Sequence, residues 1–361
     1  MKVIMTGGGT GGHIYPAIAI ADEIKRRDPE AEILFVGAQR GMEKDIVPKN
    51  GYPLEFVTVS GLNRKKIWKN VQTLKDLKKG LGEAKAIIKK FKPDIVIGTG
   101  GYVCGPVMRT AAKMGIRTYI HEQNAFPGLT NKLLSKNADR VFVAFDEAKQ
   151  HFKTKTEPLT VGNPVRRAFA ETDREEARKS LGIAPEDFMV LSFGGSLGAP
   201  KINKEMQIAV EKLQTKKNCR IFFVTGKRYF DTITENADMS DGRVTYLPYL
   251  DDMPKYLRAC DLAVTRSGAL TVSEIAASGR ASVMIPSPYV TNNHQYFNAK
   301  VLSDRGGAVL LEEKEMKDGD VAEAILKIIE DRESAVKMSE AAAAAGRIDA
   351  AEVICDTIGI V

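Results

Sequence analysis

Two stretches of the chain repeat one pattern, in which an apolar strand runs directly into a glycine-rich loop and then into a helix. Residues 2–6 (KVIMT) precede the glycines of residues 7–12, and residues 188–193 (FMVLSF) precede residues 194–199 (GGSLGA). A strand, a glycine loop and a helix in this order open the doubly wound α/β fold. Because this opening occurs twice in 361 residues, the sequence predicts two such domains.

Apolar segments of strand length continue after each opening and alternate with helical patterns. Further strands are predicted at residues 32–37, 54–59, 94–99, 117–121 and 140–144, and again at 220–225, 243–247, 261–265, 282–285 and 308–311. Such alternation is typical of βαβ units and parallel sheets. The predicted fold class is therefore α/β, with two Rossmann-like doubly wound parallel-sheet domains facing an interdomain cleft.

The boundary between the two domains is predicted at residues 162–166 (GNPVR), which have turn chemistry. The charge balance changes at the same place. Residues 1–163 carry 27 Lys and Arg against 16 Asp and Glu, a net charge of +11, whereas the rest of the chain carries 26 against 30, a net charge of −4. We therefore predict domains at 1–163 and 164–343, with a C-terminal helix, about 344–361, that packs back on the first domain.

Composition excludes several classes of protein. The net charge of +7 indicates an anionic partner without choosing among nucleic acid, membrane and phosphorylated ligand. No stretch approaches the ~20 apolar residues of a spanning helix. The four cysteines, Cys104, Cys219, Cys260 and Cys355, lie far apart and have neither disulfide nor metal-site spacing. The simplest prediction is a reduced, cytoplasmic setting without a His/Cys metal site.

The first glycine loop has the features of an anion site. Glycines let a ligand approach the backbone closely, and the N–H groups at the start of the following helix suit phosphate. Gly7, Gly9 and Gly12 formally match G-x-G-x-x-G, but this is weak support for a dinucleotide because the acidic Glu32 opens the second strand and does not end it. No G-x-x-x-x-G-K-[ST] motif is present, which argues against a P-loop NTPase. A tight turn without a ligand is the alternative interpretation.

Glycine loops also follow two other predicted strands, at residues 98–102 and 194–199. Ligands of open α/β sheets bind outside the carboxyl ends of the strands. Three glycine loops in such positions, spread over both domains, predict a ligand site at these strand ends.

Seven motifs follow one another in this sequence from the first strand to about residue 310: GGGTGGHIYPA, GTGGYVCGP, HEQNAFPG, GNPVR, GGSLGA, RSGALTVSEIAASGR and NNHQYFNA. In this order they closely resemble the MurG family, the UDP-N-acetylglucosamine (UDP-GlcNAc):lipid I N-acetylglucosaminyltransferases of bacterial cell-wall synthesis. The resemblance implies a GT-B fold, no cofactor and no bound metal for catalysis. It also implies an inverting transfer of GlcNAc from UDP-GlcNAc to the C4 hydroxyl of MurNAc in lipid I, which forms lipid II for peptidoglycan.

The resemblance further implies the residues of the site. For UDP-GlcNAc they are Thr10, Gly11, Gly12, Asn124, Arg166, Ser196, Leu250, Ala269, Leu270, Thr271, Glu274 and Gln295. For the acceptor diphosphate they are Gly9, Thr10, Gly11, Gly100, Gly101 and Tyr102.

Four of these residues take specific roles in the resemblance. Ser196 would approach the diphosphate and Leu250 the uracil, although the family often has Ile at the latter position. Glu274 would bind the ribose hydroxyls and Gln295 the sugar hydroxyls. Without the resemblance, Thr271 and Glu274 also fit a helix-capping box.

Glycosyl transfer requires a base for the attacking hydroxyl and stabilisation of the leaving diphosphate. His13 is our first candidate for the base because an imidazole can accept a proton near neutral pH. His121 and Glu122, at the end of a predicted strand, are the alternatives. Loop N–H groups and Arg166 could stabilise the diphosphate.

Residues 62–92 carry eleven Lys and Arg against two acidic residues, with apolar residues at helical spacing. A basic amphipathic segment with an aromatic residue can lie on an anionic bilayer. The predicted membrane surface consists of Arg64, Lys65, Lys66, Trp68 and Lys69. From residue 74 onward, a crossover helix packed on the sheet is the better interpretation.

The predicted partners are UDP-GlcNAc, lipid I, the anionic inner-leaflet surface and other cell-wall synthesis proteins, and the predicted location is peripheral, on the cytoplasmic face of the bacterial plasma membrane. Nucleic acid is not expected, because the basic segment holds only Trp68 and Phe91 as aromatic residues. The alternative functions are a UDP-GlcNAc 2-epimerase and a glycolipid glucosyltransferase.

Overall fold

A computed structural model describes residues 1–61, 70–195, 197–235, 237–238 and 242–360. The chain divides into two units, one of Met1–Pro164 with Asp349–Val361 and one of Val165–Ile348. The predicted boundary after residue 163 lies one residue before this division. The segment that rejoins the first unit begins at Asp349, about five residues after the predicted start at 344.

The first unit contains a parallel sheet of seven strands within the described residues. They are β1 (Lys2–Gly7), β2 (Glu32–Gly37), β3 (Leu54–Phe56), β4 (Ile95–Gly100), β5 (Arg117–Glu122), β6 (Arg140–Val143) and β7 (Leu159–Thr160). Their order is β3-β2-β1-β4-β5-β6-β7, and every neighbouring pair is parallel. The chain reverses its direction of winding between β1 and β4, where a doubly wound sheet opens its ligand crevice.

Helices connect these strands and cover both faces of the sheet. They are α1 (Gly11–Arg27), α2 (Glu43–Lys49), α3 (Asn70–Phe91), α4 (Cys104–Lys113) and α5 (Leu129–Leu134), with a 3-10 turn at Asp146–His151. Side chains of β1 alternate between two cores: Val3 and Met5 pack with α1, whereas Ile4 packs with α3 and α4. Burial on both faces explains why the strands are continuous apolar runs in the sequence.

The second unit repeats this architecture. Its strands are β8 (Phe188–Phe193), β9 (Cys219–Val224), β10 (Val244–Leu247), β11 (Leu262–Thr265), β12 (Ala281–Met284) and β13 (Ala308–Leu310). All neighbouring pairs are parallel, in the order β10-β9-β8-β11-β12-β13. The switch point of this sheet therefore lies between β8 and β11.

The helices of the second unit are α6 (Ala168–Glu171), α7 (Arg174–Ser180), α8 (Pro200–Lys212), α9 (Phe230–Thr234), α10 (Met253–Ala259), α11 (Ala269–Ser278), α12 (His294–Ser303), α13 (Asp320–Glu330) and α14 (Arg332–Ala345), with a 3-10 turn at Thr291–Asn293. Its core joins Val190 and Val264 of the sheet to Ile202, Met206 and Ile325 of the helices. Each unit thus has its own apolar core.

The last helix, α15 (Ala350–Ile358), belongs to the first unit. Ile354 and Ile358 are buried in the core that contains α1. Arg27 of α1 forms an ion pair with Asp356 and donates a hydrogen bond to the carbonyl oxygen of Ile360 at 2.8 Å. These contacts hold the C-terminal segment against the first unit.

The predicted strands agree with the observed ones to within a few residues at most positions. The strand predicted at 54–59 ends at Phe56, and the two-residue β7 was not predicted because a strand so short has no periodic signal. In the described part of the chain, no helix is both long enough and apolar enough to cross a membrane.

Candidate functional site

Two glycine loops meet at the switch point of the first unit. The N–H of Gly8, after β1, donates a hydrogen bond to the carbonyl oxygen of Gly100, at the end of β4, over 3.2 Å. A Cβ atom at Gly101 would collide with the carbonyl oxygen of Gly8, and the φ of Gly101 is +89°. Glycine is therefore required at residue 101 both by space and by backbone conformation.

The start of α1 presents backbone donors that the described residues leave unused. Thr10 is the N-cap residue and makes no side-chain cap. Its carbonyl oxygen accepts hydrogen bonds from the N–H groups of His13 and Ile14. Among the described residues, the N–H groups of Thr10, Gly11 and Gly12 have no hydrogen-bond partner. Unpaired donors at the positive end of a helix form a site for an anion.

The ring of His13 lies beside these donors. Its Nδ1 is 3.0 Å from the carbonyl oxygen of Gly8, and because a carbonyl only accepts, Nδ1 must carry the hydrogen. The lone pair of the neutral ring is then on Nε2, which lies close to the backbone of Gly100. Thr99 fixes the start of the helix by donating its hydroxyl to the carbonyl oxygen of His13 at 2.7 Å.

The side chain of His121 is fully buried and both of its ring nitrogens are engaged. Nε2 donates to the carbonyl oxygen of Gly162 at 2.9 Å, and Nδ1 accepts from the amide of Gln123 at 3.0 Å. Burial lowers the pKa of His121 to about 4, which keeps the ring neutral. With its lone pair occupied, His121 has no nitrogen to offer a substrate proton, so these contacts argue against it as the base.

Glu122 is also buried, and both of its carboxylate oxygens are occupied. Oε1 accepts from the backbone N–H and the side-chain amide of Asn124, each at 3.0 Å. Oε2 accepts from the N–H of Gly128 at 3.1 Å and from the side-chain amide of Asn131 at 2.9 Å. Four donors stabilise the ionised carboxylate and fold the loop around it, a structural task that argues against a role as the base.

Asn131 was missed by the sequence reasoning. It is buried, and its Oδ1 has no hydrogen-bond partner among the described residues. Its Nδ2 would lie 3.5 Å from a Cβ placed on Gly100, so the side chain borders the two glycine loops. The sequence offered no signal for this position, because an Asn in the first turn of a short helix is ordinary surface composition.

Tyr102 follows the second glycine loop and leaves 62% of its surface exposed. Its ring packs against the backbone of Gly61, where a Cβ would lie 2.7 Å from the ring. The predicted membrane residues, Arg64, Lys65, Lys66, Trp68 and Lys69, lie outside the described residues.

The second unit has a corresponding glycine loop after β8. Gly195 and Gly198 have φ values of +86° and +77°, and a Cβ at Gly194 would collide with Ala199. Ser196, within this loop, lies outside the described residues. The loop leads into α8, whose N-cap residue is Ala199.

The start of α11 also carries backbone donors that the described residues leave unused. Its N-cap residue is Gly268, which has no side chain to cap the helix. The capping-box alternative for Thr271 and Glu274 is therefore wrong, because Thr271 is already the third residue of the helix. The N–H groups of Leu270 and Thr271 have no hydrogen-bond partner in the described part of the chain. Ala269, between Gly268 and Leu270, is the first residue of the helix.

Glu274 lies one turn further along α11 and is only partly exposed. Burial raises the pKa of its carboxyl group to about 7, an effect that the positive charge of Arg166 opposes. Arg166 itself is exposed, with its guanidinium group 5.2 Å from the centre of the Phe169 ring. A raised pKa in a position accessible to a ligand is a common property of functional carboxylates.

Gln295 is positioned by the loops around it. Its Oε1 accepts from the N–H of Ser287, and its backbone carbonyl accepts from the hydroxyl of Ser267, both at 2.8 Å. The preceding residues Asn292 and Asn293 have φ values of +57° and +51°, which non-glycine residues rarely adopt. Leu250, the predicted uracil contact, is 7% exposed.

Comparisons with known proteins agree with this architecture. The glycosyltransferase family 28 N-terminal domain matches residues 3–143, and the family's C-terminal domain matches residues 189–354. Two curated relatives carry the name UDP-N-acetylglucosamine–N-acetylmuramyl-(pentapeptide) pyrophosphoryl-undecaprenol N-acetylglucosamine transferase. The protein from Alkaliphilus oremlandii is 46% identical over 98% of this chain and 96% of its own length. The protein from Bacillus licheniformis is 44% identical over 98% of this chain and 96% of its own length.

Solved structures give the same result. MurG of Acinetobacter baumannii matches with a TM-score of 0.83 and 29% identity, covering 100% of this chain and 99% of that protein. A putative UDP-N-acetylglucosamine 2-epimerase from Listeria monocytogenes matches with a TM-score of 0.71 over 99% of this chain and 95% of its own, but at 15% identity it shares only the fold. The predicted GT-B fold class is confirmed, and the chain belongs to the MurG family of glycosyltransferases.

Proposed function

We propose that this chain transfers GlcNAc from UDP-GlcNAc to the C4 hydroxyl of MurNAc in lipid I, with inversion at the anomeric carbon, and so forms lipid II. Membership of the MurG family and the names of the relatives support this activity. The observation that carries the chemistry is the position of His13. Its ring nitrogen able to accept a proton adjoins three backbone donors that have no partner among the residues the structure describes.

The proposed reaction is a single displacement. The C4 hydroxyl oxygen attacks C1 of GlcNAc from the face opposite UDP, while Nε2 of His13 takes the hydroxyl proton. The bond between C1 and the β-phosphate oxygen breaks, and its electron pair leaves with UDP. One attack from the opposite face inverts the anomeric carbon. His13 is the proposed base because Gly8 leaves its Nε2 available, whereas His121 and Glu122 are engaged.

The donor is proposed to bind the second unit. The N–H groups of Leu270 and Thr271 would bind the leaving diphosphate together with Arg166. The carboxylate of Glu274 would accept hydrogen bonds from the ribose hydroxyls. Gln295 would contact the sugar hydroxyls, since the contact with Ser287 uses only its Oε1. The proposed donor contacts of this unit also include Ser196, Leu250 and Ala269.

The acceptor diphosphate is proposed to bind the N–H groups of Thr10, Gly11 and Gly12, beside Gly100–Tyr102. Gly9 stands apart from this set. Its N–H already donates to the carboxylate of Glu43 at 2.9 Å and cannot bind the acceptor while that bond lasts. The proposed diphosphate site therefore begins at Thr10.

No bound metal is required in this proposal. Backbone donors and a guanidinium group can stabilise the negative charge that develops on the diphosphate. We also propose that the chain works on the inner face of the bacterial plasma membrane. The relatives' name describes a pyrophosphoryl-undecaprenol acceptor, and the eleven basic residues within residues 62–92 suit an anionic bilayer.

The test is a transfer assay with radiolabelled UDP-GlcNAc and a lipid I analogue, run with and without EDTA. We expect labelled disaccharide product at equal rates in both arms. Loss of product in EDTA would overturn the metal-free mechanism. Conversion of UDP-GlcNAc in the absence of acceptor, with no disaccharide, would overturn the proposed function in favour of an epimerase.

A further inference from the structure

The first glycine loop rests on a buried carboxylate, that of Glu43. This residue opens α2, and its side chain is 1% exposed. Oε2 accepts from the N–H of Gly9 and Oε1 accepts from the N–H of Ala38, each at 2.9 Å. No basic side chain forms an ion pair with it among the described residues, so the charge is held by backbone donors.

Three glycines leave the space that this carboxylate occupies. A Cβ at Gly8 or Gly41 would collide with the oxygens of Glu43, and a Cβ at Gly37 would lie 2.6 Å from its Cγ. These glycines come from the ends of β1 and β2 and from the segment before α2. Burying a charge is costly unless it is hydrogen-bonded, so a carboxylate enclosed in this way keeps its backbone partners in place.

Glu43 binds only one of the N–H groups in this part of the loop, that of Gly9. Gly9 has a φ of +85°, and its N–H is directed at Glu43, whereas the next three N–H groups have no partner among the described residues. We propose that Glu43 is a positioning residue, which holds the glycine loop so that the donors of Thr10, Gly11 and Gly12 remain available to the acceptor diphosphate. The identity of that ligand rests on the proposed function.

A positioning role and a purely electrostatic role of Glu43 predict opposite changes in acceptor affinity when its negative charge is removed. If Glu43 acted only through its charge, it would repel a diphosphate, and Glu43→Gln would tighten acceptor binding. If it positions the loop, the same nearly isosteric change places an amide N–H against a backbone N–H and weakens acceptor binding.

The kinetic test uses the full chain with UDP-GlcNAc and a lipid I analogue. We expect Glu43→Gln to raise the KM for the acceptor by about tenfold, the loss expected for one hydrogen bond to a charged group. The KM for UDP-GlcNAc should stay within about twofold of the wild-type value. Gly41→Ala should reproduce this pattern, because its Cβ displaces the carboxylate without removing it.

Asp187→Asn is the control for removal of a buried carboxylate. Asp187 is 5% exposed and accepts from the backbone N–H of Ala184 at 3.1 Å. It also pairs with Arg220 at 2.9 Å, and it precedes β8 at the amino end of the second sheet. The acceptor KM of the Asp187→Asn variant should equal that of the wild type. An unchanged or lower acceptor KM for Glu43→Gln would overturn the positioning role.

Amide hydrogen exchange tests the inference independently of the substrate. In the wild-type chain, the N–H of Gly9 should exchange at least about tenfold more slowly than those of Gly11 and Gly12. Equal exchange rates would overturn the inference even if Glu43→Gln failed to fold. Absence of transfer by the wild-type chain, with Gly9 protected, would instead count against the proposed function alone.

Discussion

Nδ1 of His13 donates a hydrogen bond to the carbonyl oxygen of Gly8 over 3.0 Å, and this contact leaves Nε2 as the ring nitrogen that can accept a proton. Since Gly8 is tied in turn to the carbonyl oxygen of Gly100, the imidazole orientation depends on both glycine loops. The glycine loop and the candidate base therefore form one structural unit.

His13→Ala should lower kcat by about 10² to 10⁴, because the attacking hydroxyl loses its base. The Kd for UDP-GlcNAc should change little, since the donor is proposed to bind the second unit. Steady-state kinetics and calorimetric titration of UDP-GlcNAc measure the two quantities. His151→Ala, which removes a ring packed 4.7 Å from that of Phe126, is the control. A change confined to KM would exclude His13 as the base.

Glu122→Gln should lower the stability of the fold more than it lowers kcat. The Glu122 carboxylate accepts four hydrogen bonds, two at each oxygen. In Glu122→Gln, an amide NH2 replaces one of these oxygens and faces two N–H donors that it cannot accept from. We expect the free energy of unfolding to fall by about 2 to 4 kcal/mol. Urea denaturation checks this, with the exposed Glu157→Gln as the control. A fall in kcat of about 10³ with unchanged stability would instead restore Glu122 as a base.

Glu274→Gln should weaken UDP-GlcNAc binding and remove its dependence on pH near neutrality. The ionised carboxylate accepts hydroxyl donors more strongly than the protonated form does. Because the pKa of Glu274 is about 7, wild-type affinity should fall as the pH drops below that value. Calorimetric titrations at about pH 6 and pH 8 measure this. Equal wild-type affinities at both pH values would contradict the ribose role.

The same residue should make the stability of the unliganded chain depend on pH. The pKa of Glu274 is raised from 4.5 to about 7 in the folded chain, so the folded state binds more protons than the unfolded state between these values. The free energy of unfolding should therefore fall as the pH rises through this window. As the pH rises from 5 to 8, the free energy of unfolding of Glu274→Gln should increase relative to that of wild type by up to about 2 to 3 kcal/mol. Denaturation experiments at several pH values measure this. If the free energies of unfolding of the two chains differed by the same amount at every pH, the raised pKa would be contradicted.

Charge reversal of Arg64, Lys65, Lys66 and Lys69 should release the chain from anionic vesicles. Each basic residue near such a surface contributes about 1 kcal/mol, so the four changes together should abolish binding at physiological salt. Vesicle sedimentation measures this, with reversal of the C-terminal-unit residues Lys314 and Lys317 as the control. Binding that persists in the fourfold variant would make the segment an ordinary solvated surface.

The fold was readable from the sequence because its signals are local. Strands such as β2 and β8 are apolar over most of their length, and each glycine loop adjoins its strand in the chain. Sequence motifs likewise sufficed for the family. The two-residue β7 and the exact return of the chain at Asp349 gave no local signal, since both depend on what the segment packs against.

The residues of the candidate site and their expected roles were predicted from the sequence, but the contacts that each side chain makes were not. The sequence ranked His13 ahead of His121 and Glu122 as the base, on the ground that an imidazole can accept a proton near neutral pH. Only the tertiary structure showed that both ring nitrogens of His121 and both carboxylate oxygens of Glu122 are already hydrogen-bonded. Glu43 shows the same limit, since its partners Gly9 and Ala38 come from two different loops. Sequence alone determined which side chains are available, whereas hydrogen bonds between distant segments decided which of their atoms remain free to react.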